Sequence, residues 1–134
     1  MKYLLDTDHL SIIQKETGTD YINLSTRITE HLLSDFAISI ITLHEQLLGS
    51  HAYINRARSS KEVIKGYEMM ARIWRDFTVL LIVQFNEAAA TAFDNLQTQR
   101  IQLATMDTRT AAIALSRNLI LLTRNSRDFS KVPG

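Results

Sequence analysis

The stretch Phe36-Ala37-Ile38-Ser39-Ile40-Ile41-Thr42-Leu43-His44-Glu45-Gln46-Leu47-Leu48-Gly49 decides the fold. Its first six residues are small or apolar and rich in β-branched side chains. They lack the apolar–polar alternation of a strand with one wet face. This predicts a strand over 36–41 that is covered on both faces, as in a parallel sheet. Thr42 and Glu45 then fit a capping box, with Glu45 at the third helical position. A helix is therefore predicted to start at the carboxyl end of the strand.

Working outward, three more apolar runs read as buried strands: Tyr3-Leu4-Leu5, Thr78 to Val83, and Leu119 to Thr123. Between them the period turns helical. Leu24, Ile28 and Leu32 recur every four residues. Val63, Tyr67, Met70 and Trp74 keep to one face of another helix, which makes Tyr67 and Trp74 core residues rather than a base-stacking platform. Ala88, Ala92, Phe93 and Leu96 mark a third helix. Ala111, Ala112, Ala114 and Leu115 mark a fourth, small-faced enough to pack closely on the sheet. Strands alternating with helices predict an α/β fold with a mainly parallel central sheet. The 134 residues suit one domain over 1–134, since two halves would each be too small for a proper core. With four glycines and one proline, no linker, repeat or low-complexity segment breaks the chain.

Composition narrows the function classes. Hydrophobic residues at 46% and charged residues at 22% give a globular profile, neither disordered nor membrane-spanning. No apolar run approaches the ~20 residues of a membrane helix, and the acid at Asp6 interrupts the amino terminus too early for a signal peptide. The absence of cysteine excludes disulfides and thiolate metal sites and fits the cytoplasm. The net charge is +1, but it is unevenly spread: from Arg100 onward six basic residues face two acids, leaving that segment at +4 and the rest at −3. A local basic patch is one reading, and solvated helix and loop charges are the other.

In open parallel sheets, ligands bind beyond the carboxyl ends of the strands. Four acids fall there. Asp6 ends the first strand, Glu45 follows the second, Asp107 precedes the alanine-rich helix, and Asp128 follows the last strand. Each has an ordinary explanation. Asp6 or Asp8 would cap a first helix, Glu45 would close its capping box, Asp107 would cap its own helix, and Asp128 would be a solvated loop charge. Together they would repel one another unless a cation compensates. Oxygen-only donors select a hard ion, Mg²⁺ or Mn²⁺, the usual equipment for attack on a phosphodiester. His9, His31, His44 and His51 show no zinc spacing and read as surface residues.

The blocks LLDTDHLS, ISIITLHEQLLG, MDTRTAAIAL and LLTRNSRDFSKVPG, in that order, resemble a PIN domain of the VapC-toxin type, with the motifs running from Leu4 to Gly134. The resemblance implies a three-layer PIN-like fold, a Mg²⁺-dependent endoribonuclease acting on RNA, a cognate antitoxin and a homodimer. Asp6, Glu45 and Asp107 match the first three acids of the family. The fourth position falls on Asn125 or Asp128. Gly49 matches a small residue one turn past the second acid, where a bulky side chain is expected to crowd the backbone. The family's Ile-Gly before the third acid block is Ile101-Gln102 here, so the loop leading to Asp107 is expected to differ in shape.

On that reading Asp6 and Asp107 are the metal ligands. Glu45 binds a second metal or orients the attacking water. Thr7, Ser39 and Asn125 support the carboxylates by hydrogen bonds, and Arg109 and Arg124 hold RNA phosphates. Asp128 completes the catalytic set, or else it caps its own loop. Phe129 is expected to anchor that loop in the core. Three rivals stand beside this reading. A haloacid dehalogenase-type phosphatase would use Asp6-Thr7-Asp8, but it needs a late lysine, for which only Lys131 is available, and a late acidic pair. A receiver-like domain needs an acceptor acid where Gln84 and Phe85 stand. A PIN-like domain that binds its partner without turnover would keep the same fold.

Overall fold

The computed structural model describes residues 2–7, 35–123 and 129–133. Among these described residues eight elements follow in order: β1 (Tyr3–Leu5), β2 (Phe36–Ser39), α1 (Ile40–Arg56), α2 (Ser60–Val79), β3 (Leu81–Val83), α3 (Glu87–Thr98), α4 (Thr105–Ser116) and β4 (Ile120–Leu122). The four strands form one sheet in the order β3-β2-β1-β4, with every pair parallel. The sheet architecture expected from the continuous apolar runs is therefore present. The predicted helix through Leu24, Ile28 and Leu32 lies outside the described residues.

Both faces of the sheet are covered, which is why its strands are apolar apart from Ser39. Leu4, Ala37, Val83 and Leu121 turn to one face and pack against Ala89 of α3 and Ile113 and Ala114 of α4. Tyr3, Leu5, Phe36, Ile38, Ile82 and Leu122 turn to the other, against Ile73 and Phe77 of α2. The pleat thus sorts alternate residues of each strand into two cores, giving three layers. The alanine-rich helix divides its small residues: Ile113 and Ala114 meet the sheet, while Ala111 and Ala112 pack with Leu96 of α3. Phe129 and Val132 pack against this third cluster, so Phe129 is anchored as its aromatic bulk suggested.

The junction after β2 departs from expectation. The strand stops at Ser39, and Ile40 and Ile41 are already helical. Ser39 holds an extended backbone (φ −89°, ψ 156°), and its hydroxyl accepts from the Thr42 amide at 3.2 Å. Ser39 is therefore the helix cap, worth about 1 kcal/mol. Thr42 is the third helical residue, and Glu45 the sixth. The capping box on Thr42 is replaced by a cap three residues earlier. The other long runs shrink similarly. Thr78 and Val79 close α2, leaving only Leu81–Val83 as strand, and β4 covers Ile120–Leu122.

The face of α2 is also corrected. Gly66, Ile73 and Phe77 are its buried residues, whereas Trp74 is 72% and Tyr67 56% exposed. Ile73 and Trp74 are adjacent, hence about 100° apart around the helix, and the sheet takes the first. Trp74, Tyr67 and Ile64 form an apolar stripe beside the buried face. Among the described residues nothing comes near a Cβ added at Gly49, so none of them enforces glycine there. The close approach occurs at Gly66 instead, where an added Cβ would collide with Cγ1 of Ile54 on α1.

Candidate active site

In a parallel sheet all carboxyl ends share one edge. Here that edge carries Asp6 and Thr7 after β1, Ser39 at the end of β2, Gln84 after β3 and Thr123 after β4. Helix α1 starts at this edge, because β2 runs into it without a loop. Helix α4 also starts there, because it must run back across the sheet to deliver β4 parallel to its neighbours. The topology thus brings Asp6, Glu45 and Asp107 to the same end of the molecule.

Asp6 is 8% exposed, and its amide donates to the carbonyl of Leu122 at 3.2 Å, extending the β1–β4 ladder by one bond. Its neighbour Thr7 reaches α1. The Thr7 hydroxyl donates to Oε1 of Glu45 at 3.0 Å and lies 3.4 Å from Oγ1 of Thr42. Thr42 and Glu45 are three residues apart, so they stand on the same face of α1. The end of β1 and the second turn of α1 are therefore joined through side chains across 38 residues of sequence.

Asp107 is half-buried at the third position of α4. The cap of that helix is Ala104, which offers no side chain to the free amides, so Asp107 is not the cap that sequence alone allowed. A carboxylate in the first turn is stabilised by the helix dipole. Arg109 lies two residues on, half-buried, with Nη1 3.7 Å from Sδ of Met106. The approach loop contains one left-handed residue, Arg100 at φ 56°. Gln102 is not left-handed, so its backbone does not require a glycine, and its carbonyl accepts from Lys131 at 3.2 Å. Lys131, the lysine that a phosphatase reading would need, is thus bonded to that carbonyl. Ser39, expected to support a carboxylate, has its hydroxyl on the Thr42 amide. Arg124, Asn125 and Asp128 lie outside the described residues, as do Asp8, His9 and His31. His44 and His51 are exposed as expected.

The donors at this edge are carboxylates and hydroxyls, a set suited in kind to Mg²⁺ or Mn²⁺. Among the described residues, however, no three His, Asp or Glu side chains gather closely enough to hold a metal ion. A pocket of about 580 Å³ lies elsewhere, between α4, β4 and the C-terminal segment, lined by Ala111, Leu115, Leu121 and Phe129 among others. None of the described residues that line it is an acid. Sequence reasoning missed Thr42 as a member of the site. Its place three residues before Glu45 is the signal that would have found it.

No family model and no curated protein matches the chain. Solved structures do. The VapBC2 complex of Rickettsia felis bound to a promoter DNA fragment is similar with a TM-score of 0.72 at 21% identity, over 99% of this chain and 94% of that one. A toxin–antitoxin complex from Klebsiella pneumoniae matches with a TM-score of 0.69 at 23% identity, over 98% and 93%. DNA-bound VapBC from Salmonella typhimurium matches at 0.68 and 22%, over 100% and 94%. Among the described residues, no helix is long and apolar enough to cross a membrane. The parallel four-stranded sheet, its two helical layers and these near full-length matches give the chain a PIN-like fold, the fold it shares with chains of VapBC-type toxin–antitoxin complexes.

Proposed function

We propose that this chain is the toxin of a toxin–antitoxin pair, a cytoplasmic, homodimeric endoribonuclease that hydrolyses RNA phosphodiester bonds with Mg²⁺ or Mn²⁺. The observation that carries this reading is the Thr7–Glu45 bond beside Asp6, at the carboxyl edge of a sheet matched by chains of toxin–antitoxin complexes. In the proposed reaction Asp6 and Asp107 would hold the cation, with Asn125 or Asp128 completing the set. The cation supplies an acidified water and offsets charge on the phosphate oxygens when bound. Glu45, fixed by Thr7, orients the attacking water. Arg109 and Arg124 hold the flanking phosphates.

The partner is a small DNA-binding antitoxin. Its arm enters the acidic edge through an arginine, whose guanidinium pairs bidentately with carboxylates. The exposed stripe of Ile64, Tyr67 and Trp74 gives such a partner an apolar surface. A PIN-like domain that binds without turnover is the second reading, which the Ile101-Gln102 pair before Asp107, where similar toxins have Ile-Gly, keeps open. The test is incubation of pure protein with a mixed RNA pool, with Mg²⁺ and with EDTA. Cleavage is expected only with Mg²⁺ and is expected to vanish in Asp6→Asn and Asp107→Asn. Cleavage in EDTA, or either variant cutting at the wild-type rate, would overturn the assignment. Folded wild-type protein that cuts no RNA would favour the second reading.

A further inference from the structure

We infer that Thr42 is a positioning residue, whose buried hydroxyl holds Thr7 and through it the carboxylate of Glu45. This rests on the proposed role of Glu45 for its effect on catalysis, but not for its geometry. Thr42 is 1% exposed, at the third position of α1. Most buried or helical threonines satisfy themselves locally. Thr91, Thr98, Thr108 and Thr110 all turn their hydroxyls back onto the carbonyl four residues earlier. Thr42 instead faces Thr7 across the gap between α1 and β1. A valine of the same shape would fill that space without burying a hydroxyl. The hydroxyl is therefore kept for what it contacts.

The proton count gives the contact a direction. Thr7 has one hydroxyl proton and two oxygen neighbours, Oε1 of Glu45 at 3.0 Å and Oγ1 of Thr42 at 3.4 Å. An ionised carboxylate only accepts, so the proton of Thr7 belongs to Glu45. The proton between the threonines must then come from Thr42. Donation from Thr42 polarises the Thr7 hydroxyl and strengthens its bond to the carboxylate. Thr42 is in turn fixed by its own amide, which donates to Ser39. The chain Ser39–Thr42–Thr7–Glu45 thus ties the end of β2 to the carboxylate, by way of the end of β1.

The experiment is a double-mutant cycle on Thr7→Val and Thr42→Val, with Thr42→Ser as the conservative control, read in two ways. The first readout is the ¹³Cδ resonance of Glu45 in the free protein, which does not depend on any activity. Thr42→Val is expected to move it, Thr42→Ser to leave it near wild type, and Thr42→Val in the Thr7→Val background to produce no further movement. The second is RNA cleavage: kcat is expected to fall about fivefold in Thr42→Val, the effect of one ordinary hydrogen bond, with KM and melting temperature little changed and the double variant no slower than Thr7→Val. Movement of the Glu45 resonance in a protein that cuts no RNA supports the positioning role and removes the nuclease reading. A resonance unmoved by Thr42→Val, or two substitutions that add independently, would overturn the inference whatever the activity.

Discussion

Replacing Gly66 by alanine tests the packing of the α1–α2 hairpin, because two effects of opposite sign compete. In an uncrowded helix interior, alanine for glycine stabilises by roughly 0.8–1 kcal/mol, since glycine loses more backbone freedom on folding. Gly66 is buried, and an added Cβ would overlap Cγ1 of Ile54 and lie 3.2 Å from Cδ1 of Tyr53. The Ile54 atom is a methylene one bond from the branched Cβ, close to its own backbone, so α1 and α2 must separate or Ile54 must leave its rotamer. Overpacking of this kind costs about 1–3 kcal/mol. The net expectation is destabilisation by about 1 kcal/mol, with an upper bound near 2.

For a domain of this size that lowers the melting temperature by about 3–5 °C. The assay is thermal and urea unfolding of wild type, Gly66→Ala, Ile54→Ala and the double variant. Without the Ile54 side chain the clash disappears, so Gly66→Ala should become stabilising in that background, with a coupling of about 1–3 kcal/mol between the sites. A Gly66→Ala protein that melts above wild type would show that the helices are not in contact at this point, and the reasoning would fail.

Other perturbations separate the site from the scaffold. Trp74→Ala should shift the melting temperature by no more than a degree or two, while Phe77→Ala, three residues on in the core, should cost about 3–5 kcal/mol in urea unfolding; similar losses would mean that α2 is rotated. Ser39→Ala should cost about 1 kcal/mol through the lost cap, measured by the same unfolding curves. If the carboxylates repel in the free protein, Mg²⁺ or Mn²⁺ at ~100 times its dissociation constant should stabilise by about 2.7 kcal/mol, and much less in Asp6→Asn; calorimetry with and without metal decides. Asp128→Asn should weaken the Mg²⁺ dependence of cleavage, and Asn125→Ala should slow cleavage at little cost in melting temperature. An Asp128→Asn protein with lower stability but unchanged metal titration would assign Asp128 to its loop.

The sheet was legible because a strand buried on both faces is apolar at nearly every position, and Phe36 to Ser39 breaks that pattern only at its last residue. Its end was not legible. Ile40 and Ile41 continue the same pattern although they are helical, since burial at a strand-to-helix junction demands apolar residues in either conformation. The decisive information is one hydroxyl, that of Ser39, and sequence offered Thr42 as an equally good cap. The core face of α2 was misread for a related reason. Its apolar arc is wider than its neighbours cover, and Trp74 drew the boundary toward itself by size, while Gly66 carried no hydrophobic signal at all. The acids could be placed at one edge because parallel topology leaves strand ends no alternative. Which of them touch depends on side-chain reach, as in the Thr7–Glu45 bond that ties the end of β1 to α1's acid.

Because Ser39 both ends β2 and caps α1, the strand drives the helix like a shaft with no flexible coupling. The pleat of β2 sets the rotational phase of α1, and that phase aims Glu45. One residue inserted between Ile38 and Ile41 would turn everything downstream by about 100° and advance it about 1.5 Å, carrying the Glu45 carboxylate away from Thr7 even with every side chain unchanged. The same insertion in the turn at 57–59, after the helix has passed the site, would leave that aim intact. Tolerance to length change should therefore be sharply uneven along this hairpin. The intolerant point is a junction inside the fold rather than a residue that does chemistry.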